Sequence, residues 1–313
     1  MKILLLGANG QVGFELARSL APLGELHVAT REGLLASHER ALQADLANPE
    51  TLDAALHSVQ PDIVVNAAAY TAVDLAEDEA NLADRVNHWA LVVLAAWAAR
   101  NCALVVHYST DYVFDGSGTR PYREDDATAP LGVYGRTKLA GEDALRQSRC
   151  DHLIFRTAWV HAARGHNFLR TILRLAKERD ELRIVDDQRG APTSARLIAA
   201  ATATVLARWL DMSSAAQQAA LGTYHLSAGG ECTWYEFAQS ILVTAHLCGL
   251  LERRSALVPI ATADYPTKAR RPAYSVLDTG KIRTGFGLHL PSWEICSDAV
   301  LEELAGARPV AGL

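Results

Sequence analysis

The stretch Lys2-Ile3-Leu4-Leu5-Leu6-Gly7-Ala8-Asn9-Gly10-Gln11-Val12-Gly13 decides the fold of this 313-residue chain. Its apolar start is typical of a buried parallel strand, and apolar residues at helical spacing after it predict a helix over Gln11–Leu20. A strand, a glycine-rich turn and a helix in this order are the pattern of dinucleotide-binding proteins. Gly7 suits the tight turn, Gly10 lets a pyrophosphate approach the backbone, and Gly13 allows close packing of the helix on the strand.

Strand and helix patterns alternate along the chain beyond this stretch. The predicted strands are Lys2–Leu6, Glu25–Ala29, Asp62–Asn66, Ala103–Tyr108 and His152–Thr157. The predicted helices are Gln11–Leu20, Pro49–Val59, Glu77–Arg100, Gly132–Gln147, Asn167–Lys177, Ala195–Leu210, Thr233–Leu247 and Trp293–Leu304. This order predicts an α/β fold with a doubly wound parallel-sheet Rossmann domain over residues 1–157. We expect a smaller, interleaved α/β substrate-binding domain over residues 158–313, with some segments returning to the first domain.

The segment Tyr134-Gly135-Arg136-Thr137-Lys138 indicates an acid–base pair. Four residues are about one helical turn, so both end residues leave the same helix face. We expect the Lys138 ammonium to lower the pKa of the Tyr134 phenol, because a nearby positive charge favours the phenolate. Thr110, at the end of a predicted strand, can orient the phenol and a substrate carbonyl. Tyr134, Lys138 and Thr110 are therefore the predicted catalytic residues.

Composition and charge exclude several classes of protein. Half of the residues are hydrophobic and 21% are charged, which is ordinary for a soluble enzyme. A net charge of −6 disfavours nucleic acid as a partner. Five widely spaced cysteines without a C-x-x-C pair suggest neither disulfides nor zinc. No uninterrupted apolar run predicts a membrane span, and the first residues enter a strand with no leader pattern, so we expect a cytoplasmic protein.

Long segments of the chain resemble the dTDP-4-dehydrorhamnose reductases, a family of extended short-chain dehydrogenase/reductases. The resemblance runs nearly end to end and is carried by Gly7–Gly13, Pro61–Ala69, Thr71–Asp74, His107–Phe114, Tyr134–Glu142, Arg156–Val160, Asp187–Thr193 and Ala269–Pro272. It implies that NAD(P)H reduces the C4 ketone of dTDP-4-dehydro-β-L-rhamnose to give dTDP-β-L-rhamnose, the last step of dTDP-L-rhamnose biosynthesis. The substrate would be a small nucleotide sugar.

The resemblance also implies roles for individual residues. Tyr134 would protonate the developing alkoxide, while Lys138 would hold the nicotinamide ribose. The other expected cofactor contacts are Gly7, Gly10, Gln11, Val12 and Gly13 at the first turn, Asp45 and Leu46 near the adenine, Ala69, Tyr70 and Thr71 near the nicotinamide, and Tyr108. The expected substrate contacts are Thr110 at the ketone, Asp111 at a sugar hydroxyl, Trp159 stacked on the sugar, and Arg270 and Arg271 at the diphosphate. A lone tryptophan can equally pack in a core, and surface arginines are commonly only solvated.

The end of the second strand bears on the choice of cofactor. NAD-selective sites usually place an acid there to bind the ribose 2′-hydroxyl, whereas this chain has Thr30 and Arg31. Arg31 can pair with a 2′-phosphate and Thr30 can hydrogen-bond it. We therefore expect NADPH to be used at least as well as NADH.

Three other functions compete with reduction. A 4,6-dehydratase is disfavoured, because such enzymes carry Asp-Glu after the catalytic threonine and here Tyr112 follows Asp111. Another NAD-dependent sugar-nucleotide reductase or an epimerase stays open, and retained cofactor would distinguish an epimerase. A non-catalytic regulatory subunit of the same fold is disfavoured by the intact Tyr134, Lys138 and Thr110.

A divalent metal at a dimer interface is known for some members of the resembled family. This chain has Glu15 on its first helix, but Arg196 stands where an acid is often found. A guanidinium repels a cation, so we expect no bound metal. The chain is expected to be a monomer or a homodimer.

Overall fold

The computed structural model describes residues 1–306, in which short apolar runs form the central strands. The strands are β1 Lys2–Leu6, β2 Glu25–Thr30, β3 Leu42–Gln43, β4 Ile63–Asn66, β5 Leu104–Thr110, β6 His152–Thr157, β7 Val160–His161, β8 Glu181–Val185, β9 Arg189–Gly190, β10 Thr193–Ser194, β11 Gly222–His225, β12 Cys232–Thr233 and β13 Ala256–Ile260. The α-helices are α1 Gln11–Leu20, α2 Pro49–Val59, α3 Val73–Ala76, α4 Ala80–Asp84, α5 Ala90–Asn101, α6 Val133–Ser148, α7 Phe168–Glu178, α8 Ala195–Leu210, α9 Ser214–Ala219, α10 Trp234–Leu247, α11 Gly280–Gly285 and α12 Trp293–Gly306. Residues Arg85–Trp89 form a π-helical turn between α4 and α5.

Seven strands form one parallel sheet in the order β11-β6-β5-β4-β1-β2-β3. The chain runs outward from β1 to β3 and then returns to the other side through β4, so a switch point lies between β1 and β4. This arrangement confirms the predicted Rossmann fold. Ligand clefts in such sheets form at the carboxyl ends of the strands beside the switch point. The residues that follow β1, β4 and β5 meet at that edge.

Helices cover both faces of the sheet because its central strands are apolar on both sides. Leu5 and Val106 lie in the cluster formed with α1 and α8. Leu4 and Val105, one residue earlier in each strand, lie in the cluster formed with α2, α5 and α6. The strand period of two directs these neighbours to opposite faces. Among residues 1–306, no helix is long and apolar enough to cross a membrane.

A separate apolar cluster lies among the helices of the second half of the chain. Leu169, Phe237 and Trp293 from α7, α10 and α12 belong to it. In the same half, β8 and β13 form a parallel pair. The strand β11, however, joins the main sheet beside β6. The second half therefore builds its own core and also completes the main sheet, while a domain boundary near residue 157 stays a prediction.

One predicted helix differs in its interior. The helix predicted over Glu77–Arg100 is confirmed from Ala80 onward, but it consists of α4, the π-helical turn and α5 in direct succession. In the π-helical turn, the Asn87 side chain points inward and binds the backbone of Tyr70. A π-turn widens the helix by one residue, and apolar periodicity does not reveal that. Several two-residue strands, β11, α9 and α11 were also absent from the prediction, because they are too short or too polar to give a pattern.

A buried ion pair joins α6 to the sheet. Glu142 of α6 is 0% exposed and Arg156 of β6 is 3% exposed. The guanidinium donates from Nε to Oε1 at 3.0 Å and from a terminal nitrogen to Oε2 at 2.7 Å. Burial alone would raise the pKa of Glu142, but the hydrogen bonds and charge of Arg156 hold it below its ordinary value. The pair therefore stabilises the fold at neutral pH and loses this contribution as pH falls through the pKa of folded Glu142.

We predict that Glu142→Gln lowers the free energy of unfolding by about 3–5 kcal/mol at pH 7, because it leaves the buried Arg156 without a counter-charge. Urea denaturation measures this change. The matched control is Glu178→Gln in the exposed pair with Arg174, for which we expect less than about 1 kcal/mol. The difference between Glu142→Gln and the wild type should shrink in acid. Equal urea midpoints for the two variants would contradict the assigned role.

Candidate active site

The turn after β1 brings backbone groups to the carboxyl edge of the sheet. Gly7 has φ +80°, and a Cβ there would lie 2.8 Å from the Ala68 backbone nitrogen. A Cβ on Gly13 would lie 2.1 Å from the Gly7 carbonyl oxygen, so α1 can start against the turn only with glycine there. Gly10 is the N-cap of α1, and no side chain caps this helix end. The amides of Gln11 and Val12 at the positive end of the helix dipole are suited to an anionic group.

A contact between distant segments ties this turn to the second half of the chain. The Asn167 side chain donates to Gln11 Oε1 at 2.7 Å, and it also caps the first turn of α7. Gln11 was predicted to contact a cofactor, whereas Asn167 was not singled out. The sequence signal for Asn167 was only that of a helix cap, since its partner lies 156 residues away.

The helix α6 carries the predicted acid–base pair. Its first amide, Val133 N–H, donates to Glu77 Oε1 at 2.7 Å, so a carboxylate from the α3–α4 connection caps it. Tyr134 is half-buried, and its ring packs edge-on against Tyr112 with centroids 5.8 Å apart. Lys138, one turn later, is 2% exposed. Glu77 is thus a positioning residue that helix patterning alone did not indicate.

The pKa of the Tyr134 phenol differs from the value that the sequence led us to expect. Burial raises its pKa to about 12, the hydrogen bond with Thr110 lowers it, and the Asp111 charge raises it. The predicted lowering by Lys138 is therefore wrong for the protein alone. The reason lies in the position of the amine, which donates to the Tyr108 carbonyl oxygen at 2.6 Å and lies 3.1 Å from His107 Nε2. With a pKa this high, Tyr134 is a protonated donor at neutral pH.

Thr110 and Asp111 lie at the carboxyl end of β5, beside Tyr134. The Thr110 hydroxyl donates to Asp111 Oδ1 at 3.1 Å and accepts from the Tyr112 amide. Asp111 is 2% exposed. Burial raises its pKa to about 6, although hydrogen bonds from Ser275 and Thr110 lower it. Thr110 thus contacts both the Tyr134 phenol and the Asp111 carboxyl group.

Asn87 holds the segment that follows β4. Its side-chain oxygen accepts from the Tyr70 amide at 2.9 Å, and its nitrogen donates to the Tyr70 carbonyl at 3.1 Å and to Thr137 Oγ1 at 3.2 Å. The predicted cofactor segment Ala69–Thr71 is therefore fixed to α6 through one amide that is 1% exposed. The sequence contained a signal, because Asn87 is a polar residue in an apolar helix pattern.

The last residue of β2, Thr30, is buried, and the residue that follows it, Arg31, is exposed. Arg31 is exposed, and its guanidinium lies 3.2 Å from Glu32. Thr30 is 3% exposed, and its hydroxyl donates to the Leu34 carbonyl and accepts from the Leu34 amide. The expectation that Thr30 donates a hydrogen bond to a 2′-phosphate is therefore wrong, because its hydroxyl proton is already donated to the Leu34 carbonyl oxygen.

Three other predicted cofactor residues lie partly in the core. Asp45 is half-buried, and its carboxylate accepts from the Ala47 amide. Leu46 is 4% exposed and packs in the cluster beneath α2. The Tyr108 side chain packs on the α8 face of the sheet with its hydroxyl 2.8 Å from Thr202 Oγ1. Tyr108 therefore meets the candidate site through its backbone carbonyl.

The predicted substrate residues come from separate segments. Arg271 donates to Asp74 at 2.6 Å, and its hydrogen bond with Tyr112 places it beside the Tyr112–Tyr134 ring contact. Arg270 is exposed. Trp159 has φ +47°, and its indole stacks on Trp234 with centroids 3.4 Å apart. One face of the Trp159 ring is therefore covered by the protein itself.

Arg196, near the start of α8, lies between carboxylates of two other helices. Its guanidinium lies 3.8 Å from Glu15 and also pairs with Glu303. An arginine thus bridges carboxylates of α1 and α12. Within residues 1–306, no cluster of three or more histidine, cysteine, aspartate or glutamate residues is arranged to bind a metal.

Comparison with known proteins gives matches along nearly the whole chain. The family model described as the RmlD substrate binding domain matches residues 1–305. The chain is 49% identical over 306 residues to the dTDP-4-dehydrorhamnose reductase of Burkholderia thailandensis, covering 97% of this chain and 99% of that protein. It is 47% identical over 304 residues to the enzyme of the same name from Escherichia coli K12, covering 97% and 98%.

A solved structure agrees with these sequence matches. The crystal structure of dTDP-4-dehydrorhamnose reductase from Bacillus anthracis in complex with NADP superposes with a TM-score of 0.83 at 31% identity. The match covers 96% of this chain and 99% of that chain. Together, the matches confirm the resemblance that the sequence motifs indicated.

We predict that Asn87→Ala lowers the free energy of unfolding by about 1–3 kcal/mol, because the amide and carbonyl of Tyr70 lose their partner. Urea denaturation measures the change. Asn81→Ala on α4 is the matched control, since Asn81 is exposed, and we expect it to stay within about 0.5 kcal/mol. A wild-type urea midpoint for Asn87→Ala would contradict the role given to this side chain.

Proposed function

The chain belongs to the RmlD substrate-binding-domain family, and from this premise we propose that it is an NAD(P)H-dependent dTDP-4-dehydrorhamnose reductase. It reduces the C4 ketone of dTDP-4-dehydro-β-L-rhamnose to give dTDP-β-L-rhamnose. Two relatives of that name are 49% and 47% identical and match at nearly full length. The observation that carries the proposal is the grouping of Tyr134, Lys138 and Thr110 at the carboxyl edge of the sheet.

The residues of the first turn fit a nicotinamide dinucleotide. A helix N-terminus without a side-chain cap follows a turn in which Cβ atoms at Gly7 and Gly13 would collide with backbone. Such a turn leaves amides free for the pyrophosphate. Gln11 and Val12 would hold the pyrophosphate, Asp45 and Leu46 the adenine, Ala69–Thr71 the nicotinamide, and Lys138 its ribose. When bound, the reduced nicotinamide supplies the hydride that reaches C4 of the sugar.

Tyr134 acts as the general acid. Its phenol is protonated at neutral pH, because burial raises its pKa to about 12. As negative charge develops on the ketone oxygen, the phenol becomes the stronger acid and transfers its proton. Thr110 orients the phenol through their hydrogen bond, and Asp111 binds a sugar hydroxyl.

The diphosphate and sugar of the substrate are assigned to residues of the second half of the chain. Arg271 is held by Asp74 beside Tyr112, where a guanidinium can pair with a phosphate through two hydrogen bonds. Arg270 is the exposed neighbour available to the same group. Trp159 offers the sugar the part of its ring that Trp234 leaves open. All five cysteines are free thiols, in keeping with a cytoplasmic enzyme. We propose that the enzyme is a monomer or a homodimer.

We predict that Tyr134→Phe lowers kcat by roughly 10²–10⁴-fold, because it removes the transferable proton and leaves the ring in place. Cofactor binding, measured by nucleotide fluorescence, should stay normal. Lys138→Met should lower both turnover and cofactor affinity, because Lys138 is proposed to hold the nicotinamide ribose and to act together with Tyr134. Steady-state assay with the keto-sugar nucleotide and NAD(P)H tests the activity itself.

The control for these variants is Tyr265→Phe, which removes the hydroxyl of a tyrosine that is 58% exposed. It should leave kcat unchanged. Near-normal kcat in Tyr134→Phe would mean that another group supplies the proton. No turnover of the keto sugar by the wild-type protein would reject the proposed substrate.

We predict that NADPH serves at least as well as NADH, and that Arg31→Asp shifts the ratio of kcat/KM values towards NADH. The aspartate would repel a 2′-phosphate and provide an acceptor for the ribose hydroxyl. Both cofactors are compared at a fixed sugar concentration and ionic strength. Arg100→Asp, the same charge change at an exposed helix end, is the control. A wild-type preference for NADH that Arg31→Asp leaves unchanged would contradict this assignment.

A further inference from the structure

A buried histidine lies directly behind the candidate acid–base pair. His107 is on β5, the strand that ends at Thr110, and it is 0% exposed. Its side chain shares the α6 face of the sheet with Val105 and lies in register with Asn66 of β4. Its Nε2 is 3.1 Å from Lys138 Nζ and its Nδ1 is 3.2 Å from Asn66 Nδ2. The proposed roles of Tyr134, Lys138 and Thr110 make no use of this ring.

The hydrogen bonds of Asn66 determine which ring nitrogen of His107 carries the proton. The backbone amide of Ala68 donates to Asn66 Oδ1 at 3.1 Å. A backbone N–H can only donate, so the amide oxygen of Asn66 must face Ala68 and its NH₂ group must face His107. Nδ1 of His107 is therefore an acceptor. In a neutral imidazole, the proton then lies on Nε2.

An Nε2–H group facing Lys138 requires a lone pair on the lysine nitrogen. The amine can donate one hydrogen to the Tyr108 carbonyl oxygen, 2.6 Å away, and accept from Nε2–H with its lone pair. An ammonium has no lone pair, and one of its hydrogens would meet the imidazole N–H. We propose that His107 is a positioning residue that, through its Nε2–H, holds Lys138 as a neutral amine in the protein alone.

The charged groups around Lys138 are compatible with this assignment. Burial lowers the pKa of Lys138 to about 7, while the charge of Glu142, one turn along α6, raises it. Glu142 is itself bound by Arg156 of β6, so part of its charge is already compensated. From β5 and β4, Lys138 and His107 face neutral groups, the Tyr108 carbonyl and the Asn66 amide. Burial lowers the pKa of His107 well below its ordinary value, and a charge on Lys138 would lower it further, so the ring stays neutral in either state of the lysine.

The consequence for the reaction rests on the proposed function. A neutral amine does not favour the phenolate, so in the protein alone Tyr134 keeps its proton and enters the reaction as a donor. This state suits reduction, in which the enzyme must donate a proton. His107 thus acts through Lys138, without contact with the reacting atoms.

The test is NMR titration of protein labelled at lysine Cε and Nζ and at the histidine ring nitrogens. The chain has five lysines, Lys2, Lys138, Lys177, Lys268 and Lys281, and Lys138→Met assigns the signal of interest. In the wild type, we expect His107 protonated on Nε2 and one lysine with a pKa no higher than about 7, so that its amine is neutral above that pH. In His107→Gln, the side-chain oxygen can turn towards Lys138 and accept from an ammonium, so the pKa of Lys138 should rise towards the ordinary lysine value.

His152→Gln is the matched control, because His152 begins β6 and binds the Cys150 carbonyl instead. It should leave the Lys138 signal unchanged. A wild-type His107 protonated on Nδ1 would overturn the proposal even if His107→Gln failed to fold. The same Lys138 titration in His107→Gln and in the wild type would also overturn it.

Activity gives a separate readout. A charged Lys138 in His107→Gln should lower the pKa of Tyr134, so the alkaline limb of kcat/KM for reduction should move to lower pH. A merely structural defect would lower the rate at every pH without moving the limb, and this result would count against the proposal. If the wild type reduced no keto sugar while its NMR signals behaved as expected, the proposed function would fail and the His107 assignment would stand.

Discussion

Lys138 carries a basic nitrogen into the interior, and the elements around it are arranged to compensate for its loss of water. An unpaired charge buried in this way would be strongly destabilising. The structure instead surrounds the nitrogen with the Tyr108 carbonyl, the His107 ring and, one helical turn away, Glu142. Each partner has a requirement of its own, because Glu142 needs Arg156 and His107 needs an oriented amide. A continuous polar layer therefore connects α6 with β4, β5 and β6 inside an otherwise apolar core.

The strand order decides which segments meet above this layer. Strands are added on one side of β1 up to β3 and on the other side from β4 onward, so β1 and β4 are parallel neighbours. The turn after β1 therefore packs directly on the segment after β4, as the contact between Gly7 and Ala68 demonstrates. The end of β5 and the start of α6 reach the same edge. Two contacts then bring in the second half of the chain, Asn167 with Gln11 and Arg271 with Asp74. One rigid sheet edge thus brings together residues that are far apart in the sequence.

Elements that depend on only a few neighbouring residues could be predicted from the sequence. Strand β1, the glycine turn, α1 and the Tyr-x-x-x-Lys helix follow from apolar period and turn chemistry, which act over a few residues. The partners of Lys138, the cap that Glu77 gives to α6 and the hydrogen bonds of Thr30 depend on tertiary contacts, so spacing did not reveal them. The lowered pKa expected for Tyr134 was wrong for the same reason, since the lysine nitrogen lies against β5. The roles of individual residues towards cofactor and sugar stay predictions.

The π-helical turn at Arg85–Trp89 makes this region sensitive to chain length. It contains one residue more than an α-helix of the same rise would, and the Asn87 side chain is aimed at the Tyr70 backbone by that extra residue. Deleting a single residue here would restore ordinary helical pitch and remove the widened turn that directs Asn87 towards the Tyr70 backbone. Substitutions on the solvent side of this segment can accumulate freely, whereas insertions and deletions cannot. Related chains should therefore vary here in composition and keep the same number of residues.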